Sequence, residues 1–155
     1  MIYLDDAATT FPKPPSVYDA MDYCLRNYCA NPGRGAHALS LECELKIFQC
    51  REQLAKLINA SNSLNIVFTQ NTTDSLNIAI KGTLKPGDHV ITTMIEHNSV
   101  WRPLHALKDK GVEITIIPVD LNGYVDINNI KKSIKPNTKA VIINHGSNVL
   151  GTIQD

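Results

Sequence analysis

Neither sign of charge is in excess in this chain: 15 Lys and Arg stand against 15 Asp and Glu. Such a chain has no broad field with which to hold nucleic acid or an anionic membrane surface, so neither is expected as a partner. No apolar run is long enough to span a bilayer, and the strand-like start lacks the form of a signal peptide. A cytoplasmic setting is the default expectation. The cysteines Cys24, Cys29, Cys43 and Cys50 have neither CxxC spacing nor the close pairs of a zinc site, so no metal is expected. Cys43 and Cys50 fall on one face of one helix and read as small apolar residues turned to the core. There is no internal repeat, no low-complexity tract and no Gly-rich phosphate loop, and the last absence argues against a nucleotide-binding α/β protein.

What is present alternates between helix and strand. The 155 residues are enough for one domain with a sizeable core. Pro14 and Pro15 sit at the start of a helix expected to reach Asn27. A polar loop with Asn31-Pro32-Gly33 follows. A long helix is expected over about Leu39–Ile58, with Leu41, Leu45, Phe48, Leu54, Leu57 and Ile58 on or near its inner face. A strand is expected over Asn65–Thr69, then a helix from Asp74, then a strand at Val90. A helix from Val100 to Lys110 should end at Gly111, which suits a C-cap. The strand Glu113–Pro118, a turn at Leu121-Asn122-Gly123, a short helix over Ile127–Ile134 and a strand from Lys139 complete the layout. Trp101 reads as a packing anchor. The pattern predicts an α/β fold with a mostly parallel sheet and helices on both faces.

Three polar clusters lie just past expected strand ends, where open α/β sheets place their ligands. In Gln70-Asn71-Thr72-Thr73-Asp74 a strand gives way to a helix. Thr72 or Thr73 is a credible N-cap, and the free N–H groups of that terminus suit a phosphate. An ordinary capped helix would look the same. In Glu96-His97-Asn98, the imidazole of His97 could stack on an aromatic cofactor or move protons near neutral pH. A loop histidine bonded to backbone fits as well. Asn148, between Gly146 and Gly151, can donate its amide to a phenolic oxygen or a substrate carboxylate. A turn asparagine is the alternative.

Taken in order, the stretches Tyr3-Leu4-Asp5-Asp6-Ala7-Ala8-Thr9-Thr10, Asn31-Pro32-Gly33-Arg34-Gly35-Ala36-His37, Asn71-Thr72-Thr73-Asp74, Glu96-His97-Asn98 and Ser147-Asn148-Val149-Leu150-Gly151-Thr152 decide more than any one alone. With them the chain resembles the class V aminotransferase superfamily of fold-type I pyridoxal-phosphate enzymes, most closely its cysteine desulfurase/selenocysteine lyase branch. The resemblance runs along the whole chain. It implies the N-terminal part of that family's large domain, with residues 1–35 leading into it and 36–155 forming its first part.

The resemblance also implies roles. Thr72 and Thr73, with the backbone around Asn71, would hold the cofactor phosphate. His97 would stack on the pyridine ring and assist proton transfers. Asn148 would contact the phenolic oxygen and the substrate carboxylate, and Ala7 and Ala8 would line the substrate side. Arg34 and His37 would lie in a segment near the pocket or a partner subunit. The full enzyme would take sulfur from L-cysteine, giving alanine and an enzyme persulfide, as a homodimer that passes sulfur to an acceptor protein. Serine–pyruvate-type aminotransferases and epimerase-like relatives share this front half. A non-catalytic domain that kept the fold is the alternative outside the enzymes.

Departures from the family pattern matter too. The aspartate that pairs the pyridine nitrogen and the Schiff-base lysine belong further along than this chain reaches. Asp155 is too near the Asn148 motif to be that aspartate. Lys81, Lys85, Lys108, Lys110, Lys131, Lys132, Lys135 and Lys139 read as solvated lysines. The chain is therefore expected to be truncated and inert by itself. Its apolar faces are expected to lie open, favouring self-association.

Overall fold

The computed structural model describes residues 2–154; Met1 and Asp155, the latter with the reading attached to it, lie outside the described residues. The chain divides into two compact units, Met1–Phe68 and Thr69–Asp155.

The first unit is helical. Helix α1 covers Pro15–Asn27, with Pro at its first position, where a missing N–H costs nothing. Helix α2 covers Ala38–Leu57, and the His37 ring accepts the Ser40 N–H as its N-cap. Buried Ser40 ties the preceding loop to this helix: its hydroxyl donates to Asn31 O at 2.8 Å and accepts the Gly35 N–H at 3.3 Å. Both helices match the sequence reading to within a residue or two. Their surroundings do not. Leu41, Leu45, Phe48, Leu57 and Ile58 are exposed, and so is Cys50. Periodicity shows which face is apolar, not whether anything covers it.

The expected strand at 65–69 is a second departure. Ser63–Asn65 is a 3₁₀ turn capped by Asn62, and residues 66–69 are extended without a ladder partner. β-branched composition favours a strand, but a strand exists only by pairing, and none of the described residues pairs here. Residues 2–10 likewise form no strand. Phe68 instead lies under the Arg51 guanidinium, 5.7 Å from its ring centre.

The second unit is a three-layer α/β structure. Helix α3 (Thr72–Thr83) leads through a short turn to strand β1 (His89–Thr93). Helix α4 (Asn98–Lys108) leads to strand β2 (Glu113–Ile117), and helix α5 (Ile127–Ser133) to strand β3 (Thr138–Ile142). All pairing is parallel, in the order β2-β1-β3, with β1 central and buried throughout. Ile80 of α3 and Leu84 at its C-terminal cap, with Val100, Leu104 and Leu107 of α4, pack on Val90, Val112, Ile114, Ala140 and Ile142. The chain crosses one way from β1 to β2 and back over β1 to β3. Right-handed crossovers then place α4 and α5 on opposite faces. Ile127 and Ile130 of α5 accordingly gather with Ile143, outside the α3–α4 core. The predicted parallel α/β sheet is thus present.

A buried histidine ties the foot of this sheet. His89 is fully buried, with Nδ1 2.7 Å from Thr138 Oγ1 and Nε2 2.8 Å from Thr115 Oγ1, one threonine on each flanking strand. Burial, helped by the nearby Lys135 ammonium and opposed by Glu113, pushes its pKa below the usual 6.5.

Candidate functional site

Beyond the C-terminal ends of β1 and β3, two loops face each other across a cleft of about 390 Å³. One wall is Met94–Asn98, between β1 and α4. The other is Ser147–Leu150, beyond β3. This is the crevice in which open α/β sheets bind ligands, since β2 and β3 leave β1 on opposite sides. His97 and Asn148, singled out from the sequence, are thus brought together.

His97 sits at the N-cap of α4 in extended backbone. Its Nδ1 accepts the Ser99 N–H at 3.1 Å and lies 2.8 Å from Ser99 Oγ. A nitrogen that accepts an N–H carries no proton, so the neutral ring holds its proton on Nε2. The cap therefore fixes ring orientation and tautomer together. Nε2–H is available as a donor, and use of the ring as a base requires Nδ1 to release the cap.

Asn148 stands on an exposed turn. Ser147 builds that turn: its hydroxyl accepts the Val149 and Leu150 N–H groups, and its carbonyl accepts the Gly151 N–H. Buried Gln154 fastens the returning strand, accepting the Val125 N–H at 2.9 Å and donating to Gly123 O at 2.8 Å. Gly123 has φ +85°, a left-handed conformation that calls for glycine.

The 70–74 turn opens α3. Asn71, not Thr72 or Thr73, is the cap: its Oδ1 accepts the Asp74 N–H at 2.9 Å. Asn, Thr and Thr are all capping types in succession, and only the Asn71 backbone is extended, as an N-cap must be. This frees the Thr72 and Thr73 hydroxyls and N–H groups, which have no partner among the described residues. Neither threonine lines the His97–Asn148 cleft. The short link from α3 into β1 makes the two run antiparallel, so this first turn points toward the same sheet edge. Ala7 and Ala8 belong to the first unit, on an exposed turn closed by Ala8 N–H to Asp5 O at 3.0 Å.

Glu96 had no place among the site residues read from sequence. It is buried, and its Oε1 accepts both Thr93 Oγ1–H at 2.6 Å and the Asn144 N–H at 2.8 Å. Its position beside His97 was the only available signal. Among the described residues no group of His, Cys, Asp and Glu could hold a metal, and no helix is long and apolar enough to cross a membrane.

Known proteins bear on this arrangement. The class V aminotransferase family profile matches residues 2–155. A probable cysteine desulfurase of Methanothermobacter thermautotrophicus is 41% identical, over 99% of this chain and 38% of its own length. The apo cysteine desulfurase of Thermococcus onnurineus NA1 superposes with a TM-score of 0.89 at 37% identity, over 99% of this chain and 39% of that one. SspA, solved in complex with cysteine, gives 0.88 at 31% identity over 99% and 45%. The chain thus spans less than half the length of these relatives. With a parallel α/β sheet and matches that run its whole length, the chain belongs to the class V aminotransferase family.

Proposed function

We propose that this chain forms the cofactor-binding portion of a pyridoxal-phosphate-dependent cysteine desulfurase. The single observation that carries the reading is the convergence of His97 and Asn148 on one cleft past the ends of β1 and β3. The names of the relatives, desulfurases and a protein solved with cysteine, favour L-cysteine as substrate. In the complete protein the products would be alanine and a persulfide, and the assembly a homodimer serving a sulfur-acceptor protein.

The available donors fit the cofactor. A phosphate needs several uncommitted N–H and O–H groups without much opposing charge. Thr72 and Thr73 offer two of each, while Asn71 is occupied with the cap. The turn's carboxylate, Asp74, is exposed and therefore well screened. Pyridoxal phosphate, when bound, supplies an electron sink for charge developing on an amino-acid substrate. Thr72 and Thr73 would hold its phosphate. His97, held in place by Ser99, would offer a flat ring for stacking and a proton at Nε2. Asn148 would orient the phenolic oxygen and the substrate carboxylate. Roles for Ala7 and Ala8 on the substrate side rest on sequence resemblance.

The test is a pyridoxal-phosphate titration of the pure chain, followed by absorbance and thermal shift. Saturable stabilisation is expected, weakened about tenfold or more when Thr72 and Thr73 are both changed to Ala, since charge-assisted hydrogen bonds are lost. Slow, unsaturable lysine adducts alone would overturn the reading. No sulfide or alanine is expected from the chain by itself.

A further inference from the structure

Glu96 is the only charged side chain, apart from the titratable His89, that is buried among the described residues. Among the described residues no cation pairs with it: the ion pairs found, Asp22–Arg26 and Glu113–Lys135, lie elsewhere. A carboxylate without a counter-charge is costly to bury, and an uncharged side chain would serve packing alone at lower cost. What it does is local and specific. The β1–β3 ladder ends at Thr92↔Ile142. Two residues further on, the Asn144 N–H turns to Glu96 Oε1 instead of to β1 backbone. The same oxygen takes the Thr93 hydroxyl, anchoring the carboxylate to the end of β1. On the other side of β1, Met94 N–H bonds Ile117 O, holding the loop to β2.

The loop that carries His97 is thereby fixed to both neighbouring strands. The tie to β3 lies at the root of the segment that carries Asn148. His97 follows Glu96 directly, and Asn148 sits in the Ser147 turn shortly after Asn144. One carboxylate oxygen therefore sets the separation of the two cleft walls.

We propose that Glu96 is a positioning residue that spaces His97 from Asn148. The inference rests on the reading of those two residues as cofactor-facing groups, but the coupling itself can be tested without cofactor. Glu96→Gln keeps an Oε1 that accepts both bonds, while Glu96→Ala removes it. In Glu96→Ala the Asn144 amide should exchange with solvent about tenfold faster or more, the loss expected for a bond to a charged acceptor. The NMR resonances of the His97 ring and the Asn148 side-chain amide should shift together, while Val90 and Ile91 at the sheet centre stay unmoved. Glu96→Gln should restore all three readouts. Pyridoxal-phosphate affinity should fall about tenfold in Glu96→Ala and recover in Glu96→Gln.

Unchanged Asn144 exchange in Glu96→Ala, or changes spread evenly over the sheet that Glu96→Gln does not repair, would overturn the proposal. If Glu96→Ala does not fold, Thr93→Val decides: it removes one donor to the same oxygen and should move the same three residues to a smaller extent. If the wild-type chain takes no pyridoxal phosphate, the functional reading falls, while the Asn144 readout still decides the role of Glu96.

Discussion

The two units of this chain use similar amphipathic helices and reach opposite results. In Thr69–Asp155, helices α3 and α4 bury Ile80, Val100, Leu104 and Leu107 against a sheet, joined by Leu84 at the end of α3. In Met1–Phe68, the longer helix α2 leaves Leu41, Leu45 and Phe48 exposed, and Ala55 is that unit's only buried apolar residue among those described. The difference is a layer. An apolar helical stripe is stable when a sheet or a second stripe lies against it. The second unit supplies three paired strands, and the first has none among its described residues. A pattern in sequence therefore states a need for a partner without supplying one.

The comparison breaks most sharply in the cores. Leu104 is fully buried, and Leu45 is 52% exposed. Leu104→Ala should cost about 2–5 kcal/mol by urea denaturation. Leu45→Ala should stay within about 0.5 kcal/mol of wild type, as exposed positions do. Equal losses would mean that α2 has a core of its own in solution. The open stripe on α2 also favours self-association. Sedimentation at rising concentration should show a mass increase that Leu45→Glu reduces, and a strictly monomeric chain would count against it.

Acid should separate the units as well, because only the second buries a titratable tie. His89 has its pKa lowered by burial and by Lys135, against a raising contribution from Glu113. The unfolded chain then binds the proton more tightly than the fold does. His89's contribution is fully present above 6.5 and is lost as pH falls from there toward the lowered folded value. Glu113, held below its usual 4.5 by the Lys135 hydrogen bond, titrates in a separate and more acidic window. The unfolding midpoint of the sheet unit should therefore drop just below pH 6.5, and His89→Gln should flatten that step. A step that persists in His89→Gln would assign it to another group.

Sequence reading succeeded where the signal was local. The strands His89–Thr93, Glu113–Ile117 and Thr138–Ile142 and the helices between them were expected from periodicity and turn residues. His97 and Asn148 stood out because each follows an expected strand end, and both line the cleft past β1 and β3. Failures came where the answer lay elsewhere in the chain. Residues 66–69 have strand composition and no neighbour to pair with. Glu96 reaches an amide 48 residues away, and nothing around it in sequence signals that contact. Between these cases stands Asn71-Thr72-Thr73, where propensity narrows the cap to three residues and backbone geometry selects the first.

Caps give the finest version of the comparison. Asn71 Oδ1 is the only partner found for the Asp74 N–H, so Asn71→Ala leaves that donor without an acceptor. The cost should be about 1 kcal/mol, largely recovered in Asn71→Asp, which keeps the oxygen and adds favourable charge at the helix start. His37 caps α2 less exclusively. The Ser40 N–H lies 3.3 Å from His37 Nδ1 and also 3.1 Å from His37 O, a contact that survives loss of the ring. His37→Ala should therefore cost only a few tenths of a kcal/mol, at the lower end for a cap. Helix content by circular dichroism and urea midpoints on both variants measure the pair. If His37→Ala proves the costlier change, the ring is contributing more to the first unit than its weak cap, and the contrast between a well-determined sheet unit and a sparsely determined helical one would narrow.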